Sequence, residues 1–228
     1  MVSESQVTSV RIKFKKTGSL MYISHLDLAK TMQKIIIRAG IDIWYSEGFN
    51  PQPKLVFAVP LPVGVESECE YMDIKLNTPM DCDEISRRLT ANFPDEMSVE
   101  EVYQPEAKFK NIGFIDHEIT ISSPYIDEDT HEKLNSLFEN DVYVVKKSKG
   151  TEKEINIKEY IKYFNAEKEN DKILIKAVLC AGSEKNLNPE LLIEAIKSHT
   201  GLLTHSLATE YYDIMRKNML CEDLTVFK

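Results

Sequence analysis

Between Ser9 and Gly40 the hydrophobic period of this chain switches from 2 residues to 3.6, the change from strand to helix. Ser9 to Lys15 alternates Val10, Ile12 and Phe14 with Arg11, Lys13 and Lys15, which predicts a half-buried strand with one apolar and one basic face. After Ser24, the residues Leu28, Met32, Ile35, Ile36 and Ala39 fall on one helical stripe, and Gly40 stands at the C′ position where a left-handed residue ends a helix. Further strands are predicted at Ile41 to Tyr45 with Lys54 to Val59, at Cys69 to Leu76, and at Ser98 to Tyr103, with a helix at Cys82 to Asn92. The order is βαββαβ.

That order recurs about 100 residues later, the size of one ferredoxin-like unit. Strands are predicted at Glu118 to Ser122, Val142 to Lys146, Lys172 to Cys180 and Leu203 to Tyr212, and helices at Asp127 to Glu139 and Pro189 to His199. The expected fold class is α+β: tandem ferredoxin-like halves with antiparallel sheets, at residues 1–105 and 112–228, joined through Gln104 to Gly113. Lys147 to Asn170 is a charged excursion whose inner part, Ile155 to Phe164, reads as an extra hairpin or an edge strand, and Lys146, Lys147 and Lys149 read as a hairpin tip.

Composition excludes several classes. No apolar run approaches the roughly 18 residues of a membrane span, and the opening MVSESQV lacks a signal-peptide layout, so the expected location is cytoplasmic. The four cysteines, Cys69, Cys82, Cys180 and Cys221, form no CxxC knuckle and read as reduced thiols, so no metal or cofactor is expected in this chain. Net charge is −9, against sequence-blind nucleic-acid binding, but residues 1–64 carry 8 Lys+Arg against 4 Asp+Glu, or +4, leaving −13 for the rest. An anion site is expected in the first third and an acidic second half behind it.

The segment Tyr22 to Gly64 concentrates the candidate residues. Ser24 and Asp27 have capping-box spacing, which accounts for both, whereas His25 on the first helical turn is either structural or incidental, or a neutral imidazole acting as base or hydrogen-bond donor. Lys30, Lys34 and Arg38 follow at i, i+4 and i+8, a basic row that either tracks phosphates or is a solvated face. In the stretch from Ser46 to Lys54, Gly48 allows a sharp turn while Pro51 and Pro53 stiffen the path; Trp44, Tyr45 and Phe49 bring aromatics to Asn50 and Lys54. Aromatics interleaved with polar groups suit base stacking, and they equally suit anchoring a loop to a core. No P-loop, dinucleotide fingerprint, nucleophile elbow or zinc-protease motif occurs.

These residues resemble a family. F-K-K-T-G, I-S-H-L-D-L, R-A-G, Y-S-E-G-F-N-P-Q-P-K-L, P-L-P-V-G and S-E-C-E-Y-M-D look like the bacterial radical SAM-linked protein family, a domain of unknown function, over most of residues 8–76. The resemblance implies a partner, a cobalamin-binding radical S-adenosylmethionine enzyme that would carry the iron–sulfur cluster, the S-adenosylmethionine and the cobalamin. It also hints at RNA. It marks Ser24, His25, Asp27, Arg38, Ser46, Gly48, Asn50, Pro51, Pro53, Lys54 and Glu70 as a functional surface without giving any of them a catalytic role.

Three readings follow. The chain is an accessory RNA- or nucleotide-binding module for that partner, using residues 11–54. Alternatively it is an RNA-processing or RNA-modifying enzyme using His25, since tandem ferredoxin-like halves also resemble CRISPR repeat endoribonucleases and tRNA pseudouridine synthases, an analogy of fold only. Or it is a protein–protein adaptor that docks its partner through the acidic half. All functional readings of the first half require the helix start, the cationic row and the proline loop to meet in one accessible concavity.

Overall fold

The computed structural model describes residues 8–148 and 151–228. The opening seven residues and Lys149, which the sequence places in a leader reading and at a hairpin tip, lie outside the described residues. The chain is mixed α+β, with four helices among the described residues, and every strand pairing in its sheets given below is antiparallel. It divides into two compact units, the first running to Phe109 and including Lys228, the second spanning Lys110–Phe227.

The first unit contains β1 (Thr8–Lys16), α1 (His25–Arg38), β2 (Leu55–Phe57), β3 (Val65–Leu76), α2 (Cys82–Thr90) and β4 (Met97–Tyr103). Its strands lie in the order β4-β1-β3-β2. In the β1–β3 register Ile12 faces Met72 and Val10 faces Ile74, so the alternation read from the sequence puts Val10, Ile12, Phe14, Met72, Ile74 and Leu76 on one side. Leu28, Met32, Ile35 and Ile36 of α1, with Ile85 and Leu89 of α2, close over them to form the core. Helix α1 stops where Gly40 takes φ +65°, a conformation that costs an L-residue about 1 kcal/mol. A Gly40→Ala variant should lose about 1 kcal/mol of stability in urea unfolding, and an unchanged midpoint would show that the helix end relaxes freely.

Ile41 to Tyr45 forms no full strand: only Ile43 and Tyr45 make isolated bridges, to Leu76 and Pro53. The prolines that stiffen the following segment remove the amide donors a longer ladder would need.

The second unit contains β5 (Ile112–Ser122), α3 (Thr130–Glu139), β6 (Tyr143–Ser148), β7 (Thr151–Asn156), β8 (Ile161–Glu169), β9 (Lys172–Cys180), α4 (Pro189–Thr200) and β10 (Tyr211–Cys221). Its main sheet runs β10-β5-β9-β8, and β6 pairs with β7 in a separate hairpin. Two strand assignments from the sequence are corrected here. Val142 to Lys146 belongs to that hairpin rather than to the main sheet, where β8 takes the place beside β9. The cause is local: Glu169 pairs with Lys172 across Asn170 and Asp171, and Asn170 adopts φ +57°, a two-residue hairpin turn. The last strand begins at Tyr211, not Leu203, because residues 203–210 are held as a loop by the buried Glu210 carboxylate.

Candidate nucleic-acid interface

The capped start of α1 is built as the spacing predicts. Ser24 Oγ accepts from the Asp27 amide at 3.2 Å and donates to the Asp27 carboxylate at 2.7 Å, so both side chains are engaged in the cap. His25 is half-buried and sets its ring edge-on to Phe57 of β2, with centroids 5.1 Å apart. Lys30 and Lys34 are exposed on the helix. Arg38 is committed elsewhere: its Nε and Nη2 donate to the side chain and carbonyl of Asn92, tying the end of α1 to the segment after α2. The rise of an α-helix places Arg38 about 20 Å along the axis from His25.

The segment from Trp44 to Lys54 is a small hairpin laid against β3. The Trp44 amide donates to the Lys75 carbonyl, the Lys54 amide to the Trp44 carbonyl, and the Ser46 amide to the Gln52 carbonyl. Ser46 Oγ accepts from the Gln52 amide, and Gln52 Nε2 donates to Asn50 Oδ1, which closes the turn from inside. Gly48 sits at φ +131°, inaccessible at low cost to a residue with a Cβ. At the tip Phe49 is fully exposed, and Tyr45, which bridges Pro53, keeps 39% of its surface. Pro51 and Gln52 are exposed as well.

At the hairpin base two ammonium groups converge on one ring. Lys54 Nζ and Lys75 Nζ each lie 5.5 Å from the Trp44 ring centroid. Such contacts are worth about 0.5–1 kcal/mol apiece at exposed sites, and they hold both ammonium groups over the indole ring. Lys75 alternates with Ile74 and Leu76 in β3, and therefore leaves the sheet on the side away from α1.

The structure thus divides what the sequence joins. It brings Tyr45, Ser46, Gly48, Phe49, Asn50, Pro51, Pro53 and Lys54 into one hairpin, and places His25, Asp27, Lys30 and Lys34 along α1 with Ser24 as its cap. Arg38 joins neither group. Glu70, which the resemblance assigns to the surface, is 2% exposed and is a buried group. The basic face of β1 is corrected too: Arg11 is 1% exposed and clamped by Asp73, while Lys15 meets Glu100 at 3.2 Å. Lys75 is the contributor that sequence reasoning missed, since only the β3 register and the Trp44–Lys75 backbone bond bring it to the site.

All four cysteines are free thiols. Among the described residues no cluster of three His, Cys, Asp or Glu side chains could hold a metal ion, and no helix is long and apolar enough to cross a membrane.

Fold and site define a two-unit α+β protein that displays a stiff, cation-flanked aromatic hairpin. Residues 9–189 match the family described as "Uncharacterized protein conserved in bacteria (DUF2344)", and the chain belongs to that family. No curated protein matches it. Among solved structures, a Cbf5-Nop10-Gar1 complex is similar at TM-score 0.48 and 11% identity, covering 92% of this chain and 48% of the other. An H/ACA RNP bound to a substrate RNA containing 2'-deoxyuridine is similar at 0.47 and 12%, covering 92% and 47%. An unknown protein from Galdieria sulphuraria gives 0.26 and 7%, covering 92% and 98%. The chain spans about half the length of the first two, and likenesses this distant carry no argument about function.

Proposed function

We propose that the chain is an RNA- or nucleotide-binding module whose contact surface is the Trp44–Lys54 hairpin with Lys75 alone, a narrower surface than the single concavity of residues 11–54 that the sequence reading required. The observation that carries this reading is a single indole with two ammonium groups over its ring, at the base of a hairpin whose tip carries the fully exposed Phe49. A base stacks on an aromatic face for about 1–3 kcal/mol whatever its identity, and lysines beside that face neutralise the phosphates on either side. Turn stiffness contributes as well, because a hairpin already fixed by Pro51, Pro53 and the Ser46–Gln52 bonds loses little entropy on binding.

Trp44 is the only tryptophan in the chain, so the site carries its own probe. A single-stranded RNA oligonucleotide should quench its fluorescence saturably. Lys54→Glu with Lys75→Glu should weaken binding at least tenfold and reduce the slope of log affinity against log salt by about 1.4, at about 0.7 for each single-strand phosphate left without its lysine. Absence of quenching, or binding that survives this pair and disappears in Lys30→Glu with Lys34→Glu, would transfer the interface to α1 and defeat the hairpin reading.

Two finer parts belong to the same proposal. Both units are ferredoxin-like, supported by the matching strand orders β4-β1-β3-β2 and β10-β5-β9-β8, the second carrying the β6–β7 hairpin as an insertion. The module presents its ligand to a radical S-adenosylmethionine enzyme, a partner supported by the sequence resemblance alone. Affinity purification of the tagged chain from its native cells should retain that enzyme, and its absence from the eluate would remove the partner while leaving the RNA reading intact.

A further inference from the structure

Unit two carries a constellation that the hairpin does not explain. Glu210 is 2% exposed, yet its carboxylate accepts four hydrogen bonds: Oε1 from Ser123 Oγ at 2.7 Å and the Leu203 amide at 3.0 Å, Oε2 from the His205 amide at 2.8 Å and His205 Nδ1 at 2.9 Å. Burial pushes this carboxyl up, but the bonds from Ser123, His205 and Leu203 outweigh it and hold it at about 2. An ionised carboxylate only accepts, so Nδ1 of His205 must carry the proton, and in the neutral ring Nε2 is left as an acceptor. The two backbone bonds suffice to close the loop; the side-chain bond does something additional, which is to aim an imidazole.

That imidazole is presented rather than sealed. His205 keeps 50% of its side-chain surface and stacks on Tyr125, with centroids 4.2 Å apart and planes 30° from parallel. Tyr125 keeps 55% of its own surface, and Leu207 is almost wholly exposed in the same loop. The surrounding charge is acidic: Asp127, Glu128 and Asp129 follow Tyr125, and Lys133 and Lys168 are already paired with the first two. Phosphate is therefore a poor occupant. A neutral planar group that offers an N–H to Nε2 and a π-face to the tyrosine is a good one.

We propose that the β5–α3 and α4–β10 loops of the second unit form a nucleobase-binding site in which Tyr125 stacks the heterocycle and His205 Nε2 accepts from its edge. This site is independent of the hairpin reading and lies in the other unit. The test uses the full chain and the four unphosphorylated ribonucleosides. In nitrogen-15 spectra of the histidine rings His205 should show the Nδ1–H tautomer, and at least one nucleoside should shift the His205 and Tyr125 ring signals saturably at millimolar concentration. Tyr125→Ala and His205→Ala, both at exposed side chains, should each weaken that binding at least fivefold, and Trp44→Phe should leave it unchanged. An Nε2–H tautomer, an absence of saturable shifts, shifts that persist in both variants, or loss of binding in Trp44→Phe would each overturn the proposal.

Discussion

Replacing Asp73 by alanine should destabilise the first unit by about 3 kcal/mol, the largest loss expected from any single surface-facing carboxylate in this chain. The register makes the pair: Arg11 of β1 stands directly opposite Asp73 of β3 and Tyr103 of β4. Its Nε and Nη2 donate to the two Asp73 oxygens at 2.7 and 2.9 Å, Nη2 also donates to the Ala107 carbonyl, Nη1 to the Lys228 carbonyl, and the guanidinium lies 4.3 Å from the Phe109 ring centroid. Burial opposes the Arg11 charge, and the hydrogen bond and attraction from Asp73 more than restore it, raising its pKa above the ordinary value. Removing the carboxylate withdraws the two-pronged counter-charge from a buried cation. Asp73 itself is 24% exposed, which puts the cost at the lower end of the about 3–5 kcal/mol that buried pairs show. The double variant Arg11→Met with Asp73→Leu should recover most of it, because no charge is then stranded. A urea midpoint in Asp73→Ala equivalent to less than about 1 kcal/mol would mean the guanidinium finds water, and that the pair is ornamental to stability.

Arg11 also shows where the sequence was legible and where it was not. Period-2 alternation in Ser9 to Lys15 and Cys69 to Leu76 revealed the strands and their apolar faces, since burial of one side is all that pattern requires. It could not reveal that Ala107, Phe109 and Lys228 close over Arg11, because that depends on where a distant segment of chain comes to lie. The capping box was readable since Ser24 and Asp27 solve a local problem within three residues. The stiffness of the Ser46–Lys54 loop was readable from Gly48, Pro51 and Pro53, which constrain their own dihedrals; its closure into a hairpin was not. Lys75 and the Glu210–His205 pair were not, being contacts fixed by register and by loop closure. The Asn170–Asp171 turn was a missed local signal: Asn tolerates positive φ, and reading it would have placed β8 beside β9.

Stability should also fall as pH drops from 7 to 5, and one residue should account for it. His117 of β5 stands opposite Arg216 of β10 and Ala177 of β9, and is 2% exposed. Burial and the Arg216 charge both disfavour imidazolium, pushing its pKa down to about 3. The sign follows from which state binds the proton: below about 6.5 the unfolded chain takes one up and the folded chain does not, so this contribution is complete above 6.5 and is lost progressively toward 3. Between pH 7 and 5 the loss is about 2 kcal/mol, at a limiting slope of about 1.4 kcal/mol per pH unit. The carboxylates that respond to acid do so later. Glu84 is held down to about 2 by hydrogen bonds from Arg87 and Arg88, Asp127 to about 2 by those from Lys133 and Thr130, and Glu210 to about 2 by its four donors against the opposing effect of burial. Each of these contributes fully above about 4.5 and fails only below it, so the window from 6.5 to 5 lies above them, and the comparison with His117→Leu isolates that histidine. Urea midpoints across that window should decline in the native chain and stay level in His117→Leu. Parallel declines in the two proteins would assign the acid response to another group, and a level native profile would mean that His117 accepts its proton within the fold.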